Sequence, residues 1–157
     1  MQQSKQQYQH AQKMVNLNYS SVILAAGLGR RMKSDVSKVL SILGEKPLIQ
    51  KTIELTESSG SGQIIVVVNE NNKEEIEKLS KKITVVVQKE QKGTLDAALC
   101  ALGAVSEDAD DIAILYGDDT AFYSPKTIQA VYKDHKKSNS TITFITLKKE
   151  NPYGLGR

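Results

Sequence analysis

Apolar residues along this chain fall into short runs separated by polar stretches of helical period. Residues 21–26 are apolar at nearly every position, which predicts a strand buried on both faces. Ile64–Val68 and Ile83–Val87 have the same character, the second rich in β-branched residues. Asp111–Tyr116 and Thr141–Leu147 are read as the fourth and fifth strands. Between them the period changes. After Pro47, placed as a helix N1 residue, Leu48, Ile49, Thr52, Ile53 and Thr56 recur at helical spacing until Ser58–Gly62 stops the run. Asn72 with Glu75 fits a capping box before a short helix carrying Ile76 and Leu79. Thr94 is expected to cap a helix whose apolar face is Leu95, Ala98, Leu99, Leu102 and Val105. Ser124 and Pro125 open a last helix with the stripe Ile128, Val131, Tyr132 and His135.

Strands alternating with helices predict an α/β fold: a doubly wound, mostly parallel sheet between two helical layers. The expected strand order is 3-2-1-4-5. Residues 1–19 are polar and glutamine-rich, and are read as a tail that is mobile or a loosely docked helix. Met14 is a candidate initiator, with an upstream extension before it. The domain is then 20–157. At 157 residues the chain can hide roughly 70% of its unfolded surface.

Composition narrows the function classes. The net charge of +3 is distributed, with no long basic run, which gives nucleic-acid binding little support. A single cysteine, Cys100, excludes a disulfide framework or a cysteine metal cluster within one chain, and is expected to be a small core residue. No apolar run has the length of a membrane span, and no signal-peptide core is present at the N-terminus, so a cytoplasmic location is expected.

The unusual residues follow strands. The first strand ends in Leu24-Ala25-Ala26-Gly27-Leu28-Gly29, then Arg30, Arg31, Met32 and Lys38. Glycines let a backbone approach a ligand closely, and successive N–H groups can form an anion-binding concavity. Arg31 and Lys38 add positive charge as a planar fork and a point charge. On the glycines alone, a tight turn with solvated basic residues is an equal reading. Gln88 and Gln91 follow the third strand; they are either solvated loop residues or amides suited to a base edge. Asp118, after Gly117, is either a turn aspartate or an oxygen ligand for Mg²⁺. In a parallel sheet, ligands bind beyond the carboxyl ends of the strands, so these stretches are expected on one rim. His135 is expected to be packed or capping, and neither it nor His10 is given a catalytic role.

Taken in order, Leu24-Ala25-Ala26-Gly27-x-Gly29-x-Arg31-Met32 with Lys38, Gln88-x-x-Gln91-x-Gly93-Thr94, Tyr116-Gly117-Asp118 and Pro152-x-Gly154-x-Gly156-Arg157 resemble the uridyltransferase half of the bacterial bifunctional N-acetylglucosamine-1-phosphate uridyltransferases. The likeness runs from about Val22 to Arg157. It implies transfer of UMP from UTP to a sugar 1-phosphate, with Mg²⁺ as cofactor and pyrophosphate released. By the same resemblance, Leu24, Ala25, Ala26, Gly27 and Gly29 hold the nucleotide, and Arg31 and Lys38 neutralise its phosphates. Gln88, Gln91 and Gly93 read uracil, Thr94, Tyr116 and Gly156 face the sugar, and Asp118 anchors the metal. The chain departs from the family pattern at Arg30, Ser37, Leu95-Asp96 and Thr120, where Thr, Pro, Gly-His and Pro are usual. Because the family's later sugar contacts, second metal ligand and acetyltransferase domain have no counterpart here, the domain is read as C-terminally truncated. The alternatives are a non-catalytic nucleotide-binding module and one part of a split enzyme or oligomer completed by a partner.

Overall fold

The computed structural model describes residues 17–27, 37–146, 148 and 150. Strand β1, Tyr19–Leu24, pairs in parallel on both sides. One neighbour is β4, Gln63–Val68, and the other is β6, Asp111–Tyr116. Strand β5, Ile83–Val87, adds to the outer side of β4. The sheet order is therefore β5-β4-β1-β6, with every pair parallel. In sequence order this is the expected 3-2-1-4. The short strands β2, Ile42–Leu43, and β3, Lys46–Pro47, form a separate antiparallel hairpin.

Helices cover the sheet unequally. Helix α1, Leu48–Ser59, and α4, Pro125–Ser138, lie on one face with the short α2, Lys73–Glu77. They enclose a core of Ile23, Val66, Val68 and Leu115 from the strands and Ile49, Ile53, Ile76, Ile128 and Tyr132 from the helices. Helix α3, Thr94–Ala101, lies on the other face against Val22, Ile65 and Val67. Helix α1 ends as its sequence requires: Gly60 takes the left-handed conformation at φ 89° and returns its N–H to Glu57 O. Helix α4 begins with the Ser124 cap accepting from Thr127 N and Pro125 at its first position.

Five expectations are corrected. The first strand begins at Tyr19, whose ring is core, so the boundary of the polar tail lies at least one residue earlier; residues 1–16 fall outside the described residues. Pro47 is the N-cap of α1, one position before N1. Gly93 stands at the N-cap of α3, with Thr94 as its first residue. That helix buries Ala97 and Ala101, and its leucine stripe points out, Leu95 being 73% exposed. Small residues let it approach β1 and β4, whose own branched side chains already fill the interlayer space. Finally, residues 141–146 form no strand. Phe144 is 78% exposed, and β6 has no ladder partner on its outer side among the described residues. An alternating pattern specifies a pleat, but a strand also needs a neighbour to accept its hydrogen bonds. Cys100 is partly buried beside α3's core contacts, close to its expected role.

The register puts Val22 opposite Ile114 and Leu24 opposite Tyr116. Ile112, Ile114 and Tyr116 thus lie on α3's side of the sheet, and α3 does not reach them: Ile114 is 51% exposed. At the other end of β6, Asp111 accepts from Lys136 Nζ at 3.0 Å and lies 3.2 Å from His135 Nε2. His135 Nδ1 is 2.9 Å from the Thr143 hydroxyl, so this histidine is a packing residue, as expected, that also ties down the segment after α4. Partial burial pushes the Asp111 carboxyl up, but hydrogen bonds from Lys136 and His135 outweigh it and hold the group below its ordinary value.

Two outcomes follow for stability. Ile65→Ala, fully buried in the central layer, is expected to cost about 3–4 kcal/mol in urea unfolding, against less than about 1 kcal/mol for Ile112→Ala on the open face. Equal losses would contradict the layer assignment. The depressed Asp111 contributes stability that is complete above its unfolded value near pH 4, and that is lost as pH falls towards its lower folded value. Asp111→Asn should therefore lower stability at pH 7 and flatten the acid limb of a stability–pH curve. An unchanged acid limb would remove this ion pair from the account.

Candidate nucleotide site

The four parallel strands bring four chain exits to one rim: Ala25 after β1, Asn69 after β4, Gln88 after β5 and Gly117 after β6. The exits of β1 and β6 are locked together. Gly117 N–H donates to Leu24 O at 3.0 Å, and Thr52 of α1 donates its hydroxyl to Gly117 O at 3.1 Å. A Cβ on Gly117 would sit 2.9 Å from Ile49 Cδ1 and 3.2 Å from Leu24 O, so this turn admits only glycine without movement. Thr120, where the resembling family usually has proline, is buried and its hydroxyl accepts from Tyr116 N–H at 3.0 Å, closing the same turn.

This turn presents Asp118. Its Oδ2 meets Lys38 Nζ at 2.5 Å, across 80 positions of sequence. Lys38 starts a single 3₁₀ turn, Lys38–Leu40, anchored by the buried Val39. The predicted phosphate-binding cation and the predicted metal carboxylate are thus neighbours. Both are partly exposed, so the pair adds little to stability, of the order of 0.2–1 kcal/mol. Asp118 Oδ1 accepts from Asp119 N–H at 3.1 Å, which leaves Oδ2 as the oxygen directed at a cation. The ammonium of Lys38 is itself a cation standing on that oxygen. Among the described residues no group of three or more acidic, histidine or cysteine side chains gathers to hold a metal. One or two carboxylates completed by water and substrate phosphates is the usual donor set for Mg²⁺, and the partly exposed Asp118 carboxylate is of the kind that set uses.

Ala25 and Ala26 are buried, Leu24 is half-buried, and Gly27 is exposed with open space where a Cβ would be. Gly27 is not in the left-handed region. Its contribution is therefore the missing side chain rather than an unusual backbone angle. Gly29 and Arg31 lie outside the described residues, as does Gly156 with the closing Pro152–Arg157 segment.

On the far side of the rim, Gln88 is 3% exposed and donates from Nε2 to Asp96 Oδ2 at 2.6 Å. An ionised carboxylate only accepts, so the amide oxygen of Gln88 faces away from Asp96. Gln91 is exposed and donates to Gln88 O at 3.3 Å, bracing the loop. Gly93 takes φ 116°, a conformation that favours glycine, and starts α3 from it; Thr94 beside it is exposed. Tyr116 is half exposed on α3's side of the sheet. The structure thus brings Lys38, Asp118, Gly27 and the Gln88 loop to one rim.

Sequence reasoning missed two residues that shape it. Asn72 stands at the N-cap position of α2 but its side chain makes no cap bond; it reaches across to Ala25 and Ser37. Asn69 reaches Ala26. Two asparagines leaving a buried strand were the available signal, and the capping-box pattern absorbed it.

Residues 21–155 match the model of the MobA-like NTP transferase domain. Among curated proteins, the chain is 37% identical to the bifunctional protein GlmU of Caldicellulosiruptor saccharolyticus over 87% of its length, and 41% identical to that of Buchnera aphidicola subsp. Schizaphis graminum over 92%. It spans about 30% of the length of these relatives. Among solved structures, it resembles a Rv0371c homolog from Mycobacterium sp. strain JC1 at a TM-score of 0.67 and 22% identity, covering 78% of this chain and 61% of that one. It also resembles a nucleotidyl transferase from Methanothermobacter at a TM-score of 0.60 and 24% identity, covering 73% and 56%. These structural likenesses support the doubly wound fold.

Gly117→Ala is expected to destabilise the domain by about 1–3 kcal/mol in chemical denaturation, because Leu24 O and Ile49 must yield to the new methyl group. A neutral substitution would mean that the β1–β6 exit is looser than this geometry requires.

Proposed function

The chain belongs to the MobA-like NTP transferase family, and we propose that its rim binds a uridine triphosphate with Mg²⁺ for transfer of UMP to N-acetylglucosamine 1-phosphate. The observation that carries this reading is the approach of Lys38 to Asp118 at the shared exit of β1 and β6. A triphosphate and a divalent cation entering together would exchange partners with this pair, phosphate to the ammonium and metal to the carboxylate.

In this reading a phosphate oxygen of the sugar 1-phosphate attacks the α-phosphorus of UTP. The bond from that phosphorus to the β-bridging oxygen breaks, and pyrophosphate leaves with the electron pair. No protein nucleophile is required, so positioning and charge stabilisation supply the rate. Lys38, with Arg31 from the sequence reading, would balance charge on the phosphates. The N–H groups at Ala26 and Gly27 would receive phosphate oxygens. Gln88, Gln91 and the Gly93 backbone would read uracil, and Thr94, Tyr116 and Gly156 would face the sugar. Asp118 would hold Mg²⁺, whose chemistry is to neutralise and polarise the α-phosphoryl group. A second reading, nucleotide binding without turnover, is favoured by the sparse carboxylate set among the described residues.

Calorimetric titration with UTP, CTP and GTP, with and without Mg²⁺, tests the site. UTP is expected to bind best and only with Mg²⁺. Lys38→Ala should weaken it by roughly 10–100-fold, the loss of one or two charge-assisted contacts. Asp118→Asn should abolish the Mg²⁺ dependence. No discrimination among the three nucleotides, or unchanged binding in both variants, would overturn the assignment. Pyrophosphate release with N-acetylglucosamine 1-phosphate then separates turnover from binding alone.

A further inference from the structure

Asn69 and Asn72 are buried, Asn72 to 1% exposure, immediately after β4. Their hydrogen bonds form a closed set. Asn72 Nδ2 donates to Ala25 O at 2.9 Å and to Ser37 Oγ at 3.2 Å, while its Oδ1 accepts from Asn69 N–H at 3.0 Å. Asn69 Nδ2 donates to Ala26 O at 3.0 Å, and its Oδ1 accepts from Asn71 N–H at 2.9 Å and Asn72 N–H at 3.1 Å. Each amide oxygen faces an N–H and each amide nitrogen faces a carbonyl, so the orientation of both side chains is fixed by their partners.

These bonds constrain the rim through the planarity of the peptide. In a trans peptide the C=O of one residue and the N–H of the next point in opposite directions, and the described chain has no cis bond. Holding Ala25 O and Ala26 O towards the asparagines therefore turns the N–H groups of Ala26 and Gly27 away from them. Ala25 N–H is spent on Val67 O at 2.8 Å, but neither of the next two N–H groups has a partner among the described residues. Beside them, no described residue stands within 4 Å of where a Gly27 side chain would begin. Two adjacent N–H groups with no partner among the described residues, turned the same way, are suited to form an anion-binding nest.

We propose that Asn72 and Asn69 are positioning residues for the phosphate groups of the nucleotide. They aim the Ala26 and Gly27 amides outward, and Asn72 also ties the two sides of the glycine segment together, Ala25 before it and Ser37 after it, next to Lys38. The inference rests on the nucleotide reading of the rim and adds to it a pair of side chains that touch no substrate. Their effect falls on phosphate and not on base, because the carbonyls they hold belong to the phosphate side of the rim.

The test uses the whole chain, with inorganic pyrophosphate and UTP as probes, and calorimetry and amide NMR as readouts. In the wild type, pyrophosphate should move the Ala26 and Gly27 amide resonances downfield. Asn72→Ala should weaken pyrophosphate and UTP by the same factor, roughly tenfold for a misaligned pair of donors, and leave the UTP-to-CTP ratio unchanged. Ile76→Val, a core change on the neighbouring helix, controls for lost stability and should leave both affinities intact. Asn69→Ser, a milder change, should lower pyrophosphate affinity in the same direction and serves if Asn72→Ala does not fold. Wild-type binding of pyrophosphate with no response at Ala26 or Gly27 would overturn the proposal while leaving the site. So would undiminished binding in a folded asparagine variant, or equal loss in Ile76→Val. A wild type that binds neither UTP nor pyrophosphate would overturn the nucleotide reading and the proposal with it.

Discussion

Strand β1 is hydrogen-bonded in parallel to β4 on one side and to β6 on the other, and the rest of the domain is placed by that double pairing. A strand with neighbours on both sides has almost no unspent backbone group, so it cannot slide without breaking two ladders at once. Its side chains alternate between two cores, and a one-residue slip would exchange them. The consequence appears where the ladder runs out. Beyond Leu24 the backbone still needs partners, and it finds them in Val67, Gly117, Asn69 and Asn72. Hydrogen-bond satisfaction thus continues one turn past the sheet, and among the described residues the N–H groups of Ala26 and Gly27 are left without a partner.

The two faces of the sheet are finished to different degrees. On one face three helices enclose a continuous apolar core. On the other, α3 is the helix that covers β4 and β1 among the described residues, and the outer apolar row of β6 and α3's own leucine stripe are exposed there. A folded domain tolerates scattered exposed apolar side chains, but a row on a strand without an outer partner among the described residues is a surface that associates readily. The rim itself is assembled from the well-covered side. Gly117, Val39 and Ile49 pack together there, and their packing holds the Lys38–Asp118 pair in register.

On the proposed reading, that pair would serve both a resting and a loaded state. Opposite charges that meet without ligand are screened and exposed, so separating them costs little. Each is also the sign that a metal nucleotide presents to the other. If the proposal holds, a charged substrate would need only an exchange of partners between groups already in place.

The sequence alone carried the alternation of strands and helices, the order 3-2-1-4, and three of the stretches that reach the rim, those after β1, β5 and β6. Buried parallel strands announce themselves as continuous apolar runs, and turn and cap chemistry at Gly60, Ser124 and Pro125 is local, so it can be read without a fold. Tertiary structure decided what depends on distance across the chain. The leucines of α3 form as good a stripe as its alanines, and only the closeness of β1 and β4 selected the smaller residues. Residues 141–146 are apolar and β-branched as a strand should be, yet they join no ladder among the described residues. Asn72 satisfies a local capping pattern equally well, but its oxygen accepts from Asn69 N–H and its amide donates to a carbonyl 47 positions away in sequence, so the side chain does not cap the helix. Propensity fixes what a segment is able to become; which of two satisfied states it takes is settled by the neighbour that the fold brings within bonding distance.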